Sequence, residues 1–232
     1  DVFKTGRGRP WGEHHDCCFC GTERFFRPAY AGHLLNEWIP ALEGVEEKLQ
    51  MGAKIADIGC GLGTSSILMA EQYPNSTIHA FDFHGPSIEE AKKRAEEKGL
   101  SNLEFYVSDA AAIPKNEYDL ACIFDAWHDM GDPVGIAASI KDTLAKDGTF
   151  MVVEPMALDG FANNIANNPA SGMMYGFGTL VCVPASKAQS VGLGLGPQAG
   201  PNKLMELLGE AGFGNVNLAA ETTNNLVLQA RA

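Results

Sequence analysis

The stretch that decides the fold is Ile55-Ala56-Asp57-Ile58-Gly59-Cys60-Gly61-Leu62-Gly63-Thr64-Ser65-Ser66. In it a short apolar run is followed by glycines at every second position, and an apolar helical pattern then resumes. Glycine allows a sharp turn where a strand meets a helix, and it lets a ligand lie directly against the backbone. The first turn of the following helix presents unpaired N–H groups to that ligand. The stretch therefore predicts a strand, a turn and a helix that together bind a nucleotide-like ligand.

The regions around this unit alternate between strand and helix patterns. Strands are predicted near 53–58, 77–82, 103–107, 118–124 and 149–154, and helices near 64–73, 86–98 and 134–145. Three of these strands are apolar nearly throughout, which is typical of strands covered by helices on both faces. The alternation predicts an α/β fold with a doubly wound, mostly parallel, Rossmann-like sheet.

The remaining segments fit around that sheet. Helical spacing is found in 33–50 and again in 203–211, and two short strands near 216–220 and 226–229 are predicted to form an antiparallel hairpin at the sheet edge. Residues 1–32 show no period and are expected to be an irregular N-terminal arm, ahead of one domain over 33–232. Within that domain, 156–200 breaks the alternation and is expected to be an insertion.

The composition excludes several classes of protein. The 232 residues carry a formal net charge of −12, which argues against binding to nucleic acid because such binding needs a basic face. No apolar run approaches the length of a membrane span, and the N-terminus lacks the apolar core of a signal peptide. The six cysteines are interpreted as reduced thiols of a cytoplasmic protein because three fall in the glycine turn or in predicted core elements.

The spacing of the glycines and the acid before them indicate which ligand is bound. Dinucleotide-binding turns have the spacing G-x-G-x-x-G, which clears space for a pyrophosphate at a helix N-terminus. Here the spacing is G-x-G-x-G, and Asp57 precedes it. An acid beside the turn repels a pyrophosphate but attracts a cationic amino-acid ligand, directly or through water. Electrostatics therefore favours S-adenosylmethionine.

Two later acids support the same ligand. Asp82 ends the second predicted strand, where a carboxylate can accept hydrogen bonds from both ribose hydroxyls, and Phe83 can flank the adenine ring. The alternative is that Asp82 only caps a helix. Ser108-Asp109-Ala110 follows the third strand, so Asp109 can accept from the adenine amino group, unless it is a simple turn residue.

These motifs together resemble the class I S-adenosylmethionine-dependent methyltransferases over roughly residues 33–232. The family implies a seven-stranded sheet with an antiparallel last strand, in agreement with the predicted hairpin. It also implies that the glycine turn and Asp57 line the methionine end, Asp82 the ribose and Asp109 the adenine. The residues expected at the cofactor are Asp57, Gly59, Cys60, Gly61, Gly63, Asp82, Phe83, Ser108, Asp109, Ala110, Phe124 and Asp125.

A histidine just beyond the fourth strand is the candidate general base. The order His128-Asp129-x-x-Asp132 is similar to a His-Asp-x-x-Asp segment of small-molecule O-methyltransferases, where the histidine removes the acceptor proton. Histidine suits this role because its unperturbed pKa is about 6.5. The plant-type sequence has Trp after the His-Asp pair, whereas here Trp127 precedes it and Met130 follows it.

Two further interpretations concern the same segment. The alternative to catalysis is that His128 and Asp129 cap or orient the helix that begins near Pro133. Glu154, which ends the fifth strand, is expected to orient the imidazole of His128 from the opposite side of the cleft; alternatively it is a plain strand-end acid.

The N-terminal arm contains His14-His15-Asp16-Cys17-Cys18-Phe19-Cys20. A structural zinc site normally has two spaced pairs of ligands, and the arm has no distant second pair, so no metal site is predicted. The arm is instead expected to pack over the cofactor or acceptor pocket, with an apolar wall of Trp11, Phe25, Phe26 and Tyr30.

The insertion over 156–200 is expected to cover the acceptor site. An apolar cover is predicted from Met156, Phe161, Met173, Met174, Tyr175 and Phe177. The alternative is an interaction surface or ordinary loop packing. Gly192-Leu-Gly-Leu-Gly196 imitates a nucleotide motif, but no strand of adequate length precedes it and no helix follows at once, so it is interpreted as a flexible part of the insertion.

The sequence thus predicts S-adenosylmethionine-dependent methyl transfer to a small-molecule O, N or S acceptor, with S-adenosylhomocysteine as the product. Two alternative functions stay open. The first is a non-catalytic S-adenosylmethionine-binding regulatory or scaffold protein. The second is a nicotinamide-dependent dehydrogenase, which only the glycine turn supports. Some relatives of similar cores carry an upstream winged-helix dimerisation domain, and the abrupt start of the chain resembles a core separated from one. A homodimer is accordingly an expectation by analogy.

Overall fold

The computed structural model describes residues 2–115 and 117–232; Asp1, the first residue of the predicted arm, lies outside the described residues. In the described ranges, seven strands form one sheet in the order β3-β2-β1-β4-β5-β7-β6. The strands are β1 (Lys54–Ile58), β2 (Thr77–Asp82), β3 (Leu103–Val107), β4 (Tyr118–Phe124), β5 (Leu144–Pro155), β6 (Asn215–Glu221) and β7 (Asn225–Arg231).

The direction of the strands confirms the predicted fold class. β1 pairs in parallel with β2 and β4, and β4 pairs in parallel with β5. β7 runs antiparallel between β5 and β6, so the last strand is reversed. The sheet is therefore a doubly wound, Rossmann-like sheet of seven strands in which β7 alone is reversed.

Helices cover both faces of this sheet. They are α1 (Val2–Thr5), α2 (Asp16–His33), α3 (Val45–Met51), α4 (Thr64–Gln72), α5 (Gly85–Glu97), α6 (Pro133–Lys141), α7 (Phe161–Asn167), α8 (Ser171–Phe177), α9 (Val183–Lys187) and α10 (Pro201–Glu210). Short 3-10 turns are present at Trp11–Glu13, Ala110–Ala112 and Trp127–Asp129, and π-helical turns at Leu34–Trp38 and Gly178–Cys182.

The alternation of side chains along the central strands divides the core into two layers. Ile55 of β1 packs into a layer with α3, α4 and α5, whereas Ala56 and Ile58 pack into a layer with α6 and α10. Successive strand side chains point to opposite faces, so a strand with an apolar residue at every position needs helices on both sides. The near-continuous apolar character of β1 and β4 follows from this arrangement.

The prediction that residues 1–32 are irregular is wrong. Most of the described arm is helical, and α2 runs for 18 residues despite Pro28 inside it. The residues of α2 that face the rest of the protein recur at helical spacing, as Phe19, Thr22 and Phe26 do. They mix polar with apolar types, and Phe25 lies on the exposed side, so the distribution of apolar residues alone does not reveal the period. The predicted helix over 33–50 is also interrupted: the chain turns after Trp38, where Pro40 removes an N–H donor, and Gly44 has a φ of 69° before α3 begins.

The ends of several elements differ from the predictions. α6 ends at Lys141 rather than near 145, and β5 begins at Leu144 rather than 149 because its first residues pair irregularly with β4. The insertion over 156–200 contains α7, α8 and α9 in addition to loops. Within the described ranges, no helix combines the length and the apolar character needed to cross a bilayer.

Candidate active site

A cavity opens at the carboxyl ends of β1, β2, β3 and β4. Its volume is about 1260 Å³ when counted out to its open mouth. The carboxyl edge of a doubly wound sheet is where such folds bind ligands, because strand order reverses there and the loops diverge. The glycine turn and α2 both line the cavity.

The glycine turn has the backbone conformation that its sequence predicts. Gly59, Gly61 and Gly63 have φ values of 72°, 53° and 79°, in the left-handed region that favours glycine. A Cβ on Gly63 would lie 2.9 Å from Cζ of Phe105 and 3.0 Å from Cβ of Ala91, so this glycine also allows the turn to approach α5 and β3. A Cβ on Gly61 would meet nothing within 4 Å. The backbone of Gly61 is therefore open to a ligand, and Gly59, Cys60, Gly61 and Leu62 line the cavity.

Asp82 lies beside this turn at the end of β2. Its two carboxylate oxygens accept hydrogen bonds from the backbone N–H groups of Gly61 at 2.9 Å and His84 at 2.8 Å. Burial raises the pKa of Asp82, and the hydrogen bonds from these N–H groups oppose that rise. Because each carboxylate oxygen can accept more than one hydrogen bond, Asp82 keeps acceptor capacity toward the cavity that it lines.

Asp57 is placed behind the turn rather than in the cavity wall. It is fully buried and accepts hydrogen bonds from the hydroxyls of Ser65 at 2.7 Å and Ser66 at 2.5 Å, in the first turn of α4. Burial raises the pKa of Asp57 to about 6, although both serines lower it. Its Oδ1 is buried without a hydrogen-bond partner. Asp57 does not line the cavity, so it acts on a ligand there only through its charge and by holding the turn in place. Gly63 also shapes the turn without lining the cavity.

The other residues expected at the cofactor lie along the rim of the sheet. Ser108, Asp109 and Ala110 line the cavity after β3, and the Asp109 carboxylate also accepts from the N–H of Ala111 at 2.8 Å. Phe83, which is largely exposed, lies after β2. Phe124 and Asp125 line the cavity at the end of β4.

Asp125 is the centre of a buried hydrogen-bond network. Tyr30 of α2 donates from its hydroxyl to Oδ2 at 2.9 Å, and Asn225 of β7 donates from Nδ2 to Oδ1 at 2.8 Å. The residue has a φ of 49°, which is strained for a residue with a side chain. Burial and the charge of Glu154 raise the pKa of Asp125 well above its ordinary value. The network ties the arm and the last strand to the edge of the cavity.

His128 is held between two carboxylates just beyond this point. Its Nδ1 contacts Oε2 of Glu154, and its Nε2 lies 3.1 Å from Oδ1 of Asp129. The other oxygen of Glu154 accepts from the backbone N–H groups of Trp127 at 3.1 Å and His128 at 3.3 Å. Burial would lower the pKa of His128, but attraction to Glu154 and Asp129 outweighs it and raises that pKa well above 6.5.

Of His128 and its two carboxylate partners, Glu154 and Asp129, one faces the cavity. His128 is 2 % exposed and does not line the cavity, whereas Asp129 does. The structure thus brings Glu154 to the imidazole as the sequence predicts, while the second imidazole nitrogen faces Asp129. Asp132, the last residue of the His-Asp-x-x-Asp segment, caps α6 instead: its Oδ1 accepts a hydrogen bond from the N–H of Gly135 at 2.9 Å.

Comparison with known proteins identifies the family. Residues 49–212, which are more than half of the chain, match a family described as a methyltransferase domain. The chain belongs to this methyltransferase family. The predicted class I S-adenosylmethionine-dependent methyltransferase is thereby confirmed.

The individual relatives of this methyltransferase are similar to it over only about half of the chain. The chain is 32% identical to the ubiquinone biosynthesis O-methyltransferase of Actinobacillus pleuropneumoniae serotype 5b (strain L20) over 124 residues, which are 50% of the chain and 51% of that protein. It is 32% identical to the aklanonic acid methyltransferase of Streptomyces sp. (strain C5) over 108 residues, or 45% of the chain and 49% of that protein. The chain spans about half the length of these curated relatives.

Among solved structures, an O-methyltransferase family protein from Burkholderia thailandensis has the same fold. It superposes with a TM-score of 0.69 at 15% identity, over 94% of the chain and 59% of that protein. At this identity the likeness concerns the fold alone.

The N-terminal arm of the methyltransferase forms one wall of its cavity. Trp11, Phe26 and Tyr30 line it as expected, but Phe25 lines a second, smaller cavity instead. Three arm residues that were not predicted to line it, Phe19, Thr22 and Glu23, line the main cavity as well. Their helical spacing along α2 could have indicated that they share one face, but the helix itself was not predicted.

The insertion contacts the site through residues other than the expected apolar set. Within the described ranges, none of the six residues of the predicted apolar cover lines the main cavity: Met156, Met173 and Met174 line the second cavity, Phe161 packs on Tyr175, and Phe177 packs on Phe25. The main cavity instead receives Ala185 and Gln189 from the insertion.

Gln189 and Ser186 hold the segment that carries His128. The Gln189 amide donates to the backbone carbonyl of Asp129 at 2.8 Å and accepts from the N–H of Gly131 at 3.0 Å. The fully buried Ser186 donates to the carbonyl of Met130 at 2.9 Å and accepts from the N–H of Gly194 at 2.9 Å. The glycine-rich loop over 192–196 therefore packs against residues 128–131. No sequence signal pointed to these contacts.

One group of side chains has the composition of a metal site. His128, Asp129 and Cys182 offer ligand atoms that all lie within 4.8 Å of one another. Among the described residues, the arm segment that contains Cys17, Cys18 and Cys20 has no such group; these cysteines are free, as are the other three. Burial raises the pKa of Cys182 to about 11, so its thiol is neutral near pH 7 in the absence of a metal.

Proposed function

We propose that this methyltransferase transfers a methyl group from S-adenosylmethionine to a small-molecule O, N or S acceptor. The observation that carries the proposal is the juxtaposition of the left-handed glycine turn and Asp82 at the carboxyl edge of the sheet, beside one large cavity. Backbone N–H groups of that turn can bind a carboxylate, and a strand-end acid can bind ribose hydroxyls. Relatives named as methyltransferases support the same reaction.

The donor end of the cavity has side chains that fit the parts of S-adenosylmethionine. Gly61 leaves room for a ligand against its backbone, Asp82 is proposed to accept from the ribose, and Asp109, which lines the same cavity, is proposed to accept from the adenine amino group. S-adenosylmethionine supplies an electrophilic methyl group on a positively charged sulfur. The acidic charges of Asp57 and Asp82 beside the turn are complementary to that positive charge.

The acceptor end is proposed to lie at Asp129, where α2 and the insertion meet the loop after β4. Alignment of the acceptor with the donor supplies much of the rate in such a displacement. His128 is proposed to help remove the acceptor proton, with Glu154 holding its Nδ1. Because Nε2 of His128 faces Asp129, the proton can reach His128 either through the Asp129 carboxylate or after a rotation of Asp129 away from the imidazole.

The arm and the insertion are proposed to be parts of this active site. α2 contributes Phe26 and Tyr30 to the cavity, and the insertion fixes the segment of Asp129 through Gln189. Acceptor selection is therefore proposed to depend on both segments. A homodimer stays a prediction by analogy.

The experiment that tests the proposal combines binding and turnover. Calorimetry with S-adenosylhomocysteine and with NAD should show binding of the former alone. Incubation with S-adenosylmethionine and a panel of phenols, thiols and amines should then release S-adenosylhomocysteine. Binding of NAD without S-adenosylhomocysteine would overturn the proposal, and cofactor binding without turnover on any acceptor class would favour the non-catalytic alternative.

A further inference from the structure

We infer that the methyl acceptor is an amine that carries a positive charge in water, and that it is not a carboxylate or a phosphate ester. This inference rests on the proposed methyl transfer, because it concerns the substrate class of that same cavity.

The first observation is the sign of the charges in the cavity wall. The acidic residues that line the cavity are Glu23, Asp82, Asp109, Asp125 and Asp129. Within the part of the chain that the structure describes, no Lys, Arg or His lines it. Proteins bind carboxylates and phosphates through Arg or Lys, and nearby acids repel such ligands. An anionic acceptor therefore lacks a partner in this cavity.

The cationic side chains that contact Asp129 and Glu23 are already engaged. His128 lies behind Asp129 and is held between that residue and Glu154. Arg94 and Arg27 lie 3.6 Å and 3.7 Å from Oε1 of Glu23, and neither lines the cavity. Their charges are directed at carboxylates, so they do not reverse the sign of the cavity.

The second observation is the aromatic character of the same wall, which is independent of its charge. Rings that are not assigned to the cofactor line the cavity, namely Trp11, Phe19, Phe26, Tyr30 and Phe81. The faces of aromatic rings attract ammonium groups, and sites with several rings are used to bind alkylammonium ligands. Acidic and aromatic groups together favour a cation with an apolar body.

Asp129 is the acid best placed to meet this cation. Under the proposed function Asp82 and Asp109 bind the nucleoside, Asp125 already accepts from Tyr30 and Asn225, and Glu23 accepts from Thr64 at 3.0 Å. The side chain of Asp129 is 24% exposed, and its backbone carbonyl is fixed by Gln189.

The chemistry of such an acceptor balances with Asp129 in this position. The ammonium group first gives one proton to the Asp129 carboxylate, which frees the lone pair of the nitrogen. The nitrogen then forms a bond to the methyl carbon while the bond from that carbon to sulfur breaks, and its electron pair stays on sulfur. The products are a methylammonium ion and neutral S-adenosylhomocysteine, and Asp129 passes its proton to His128, the proposed base, which releases it to solvent.

The test uses three probes that share a phenyl-alkyl body and differ in charge: 2-phenylethylamine, 2-phenylethanol and 3-phenylpropanoate. Each is titrated calorimetrically into the full chain saturated with S-adenosylhomocysteine, so that the donor site is filled by a ligand without the sulfonium charge. We expect the amine to bind about tenfold more tightly than the alcohol, and the carboxylate to bind more weakly than both.

A matched pair of variants identifies the group responsible. Asp129→Asn should abolish the preference for the amine, whereas Asp132→Asn, three residues later at the start of α6, should keep it. Equal or tighter binding of the alcohol or the carboxylate to the unmodified protein would overturn the inference, as would binding of none of the three. If S-adenosylhomocysteine itself fails to bind, the proposed function fails instead.

Discussion

The proposed donor end and the proposed acceptor end of the cavity are built in different ways. The donor end comes from one strand, one turn and one helix, with Asp82 from the neighbouring strand. The acceptor end is assembled from α2, the loop after β4, the end of β5 and the insertion before α10. Its contacts join residues far apart in the chain, such as Tyr30 and Asp125 or Asp129 and Gln189.

The difference separates two functions that mutations can test one at a time. Residues of the donor end should control cofactor affinity and the stability of the turn. Residues of the acceptor end should control turnover while leaving cofactor affinity intact.

His128→Ala should lower kcat by about 10²–10⁴-fold, since this is the typical contribution of a positioned acid or base. The affinity for S-adenosylhomocysteine should change little, because His128 does not line the cavity. Steady-state kinetics and calorimetry on the same preparation measure the two quantities. Full activity in the variant would exclude the base, and loss of cofactor binding would show that the two ends are not separable.

Asp82→Ala should weaken S-adenosylhomocysteine binding by at least about a hundredfold. The reason is the loss of charge-assisted hydrogen bonds to the ribose, together with those that fix the N–H groups of Gly61 and His84. Asp142→Ala is the control, because Asp142 is an exposed acid that pairs with Lys115 at 3.5 Å. Calorimetry should find the control unchanged; an equally weak control would point to a general effect of charge.

Gly63→Ala and Gly61→Ala form a matched pair within the turn. Both place a side chain at a positive φ, but only at Gly63 does the new Cβ meet packed atoms. Gly63→Ala should therefore lower the free energy of unfolding by about 2–4 kcal/mol, against about 1 kcal/mol for Gly61→Ala. Urea unfolding measures both values. Gly61→Ala should instead lose cofactor affinity, and the reverse assignment would refute the described turn.

Asp57→Asn should stabilise the ligand-free protein at pH 7. The pKa of Asp57 rises from 3.8 to about 6 on folding, so ionisation above pH 6 opposes folding. The stability linked to its proton is fully present below pH 3.8 and is lost as the pH rises through 6. A gain of at most about 3 kcal/mol is expected at pH 7, since one pKa unit is worth about 1.4 kcal/mol.

Urea unfolding of Asp57→Asn and of the unmodified protein at pH 7 and pH 4 measures this gain. The difference between the two proteins should shrink toward zero at pH 4. A variant that is less stable at pH 7 would mean that the ionised Asp57 contributes more through its two serines than it costs through burial.

Glu154→Gln should move the acid limb of the pH–rate profile to lower pH by about one unit. A base works only when unprotonated, so the rate falls as the pH drops through the pKa of His128. Burial lowers the pKa of His128, but the charges of Glu154 and Asp129 raise it by more than burial lowers it. The acid limb is therefore expected above pH 6.5. Loss of the Glu154 charge removes one of these attractions. An unshifted limb would assign the titration to another group.

The sequence predicted the donor end and the sheet well because their signals are local. The glycine spacing, the acid before it and the apolar strands each depend on a short window, and all seven strands were anticipated. α2 was missed because the face that lines the cavity includes the polar Thr22 and Glu23, while Phe25 lies on the exposed side, so apolar residues alone do not show the helical period. The contacts of Gln189 and Ser186 to residues 128–131 were also beyond prediction, since no local pattern encodes a contact across nearly 60 residues.

The most direct test of the account is a crystal structure of the chain with S-adenosylhomocysteine bound. The account predicts that the ribose hydroxyls contact the Asp82 carboxylate, that the methionine end lies on the backbone of Gly61, and that the sulfur points toward Asp129. A ligand bound outside this cavity, or bound in it with its adenine at Asp129, would contradict the assignment of the donor and acceptor ends.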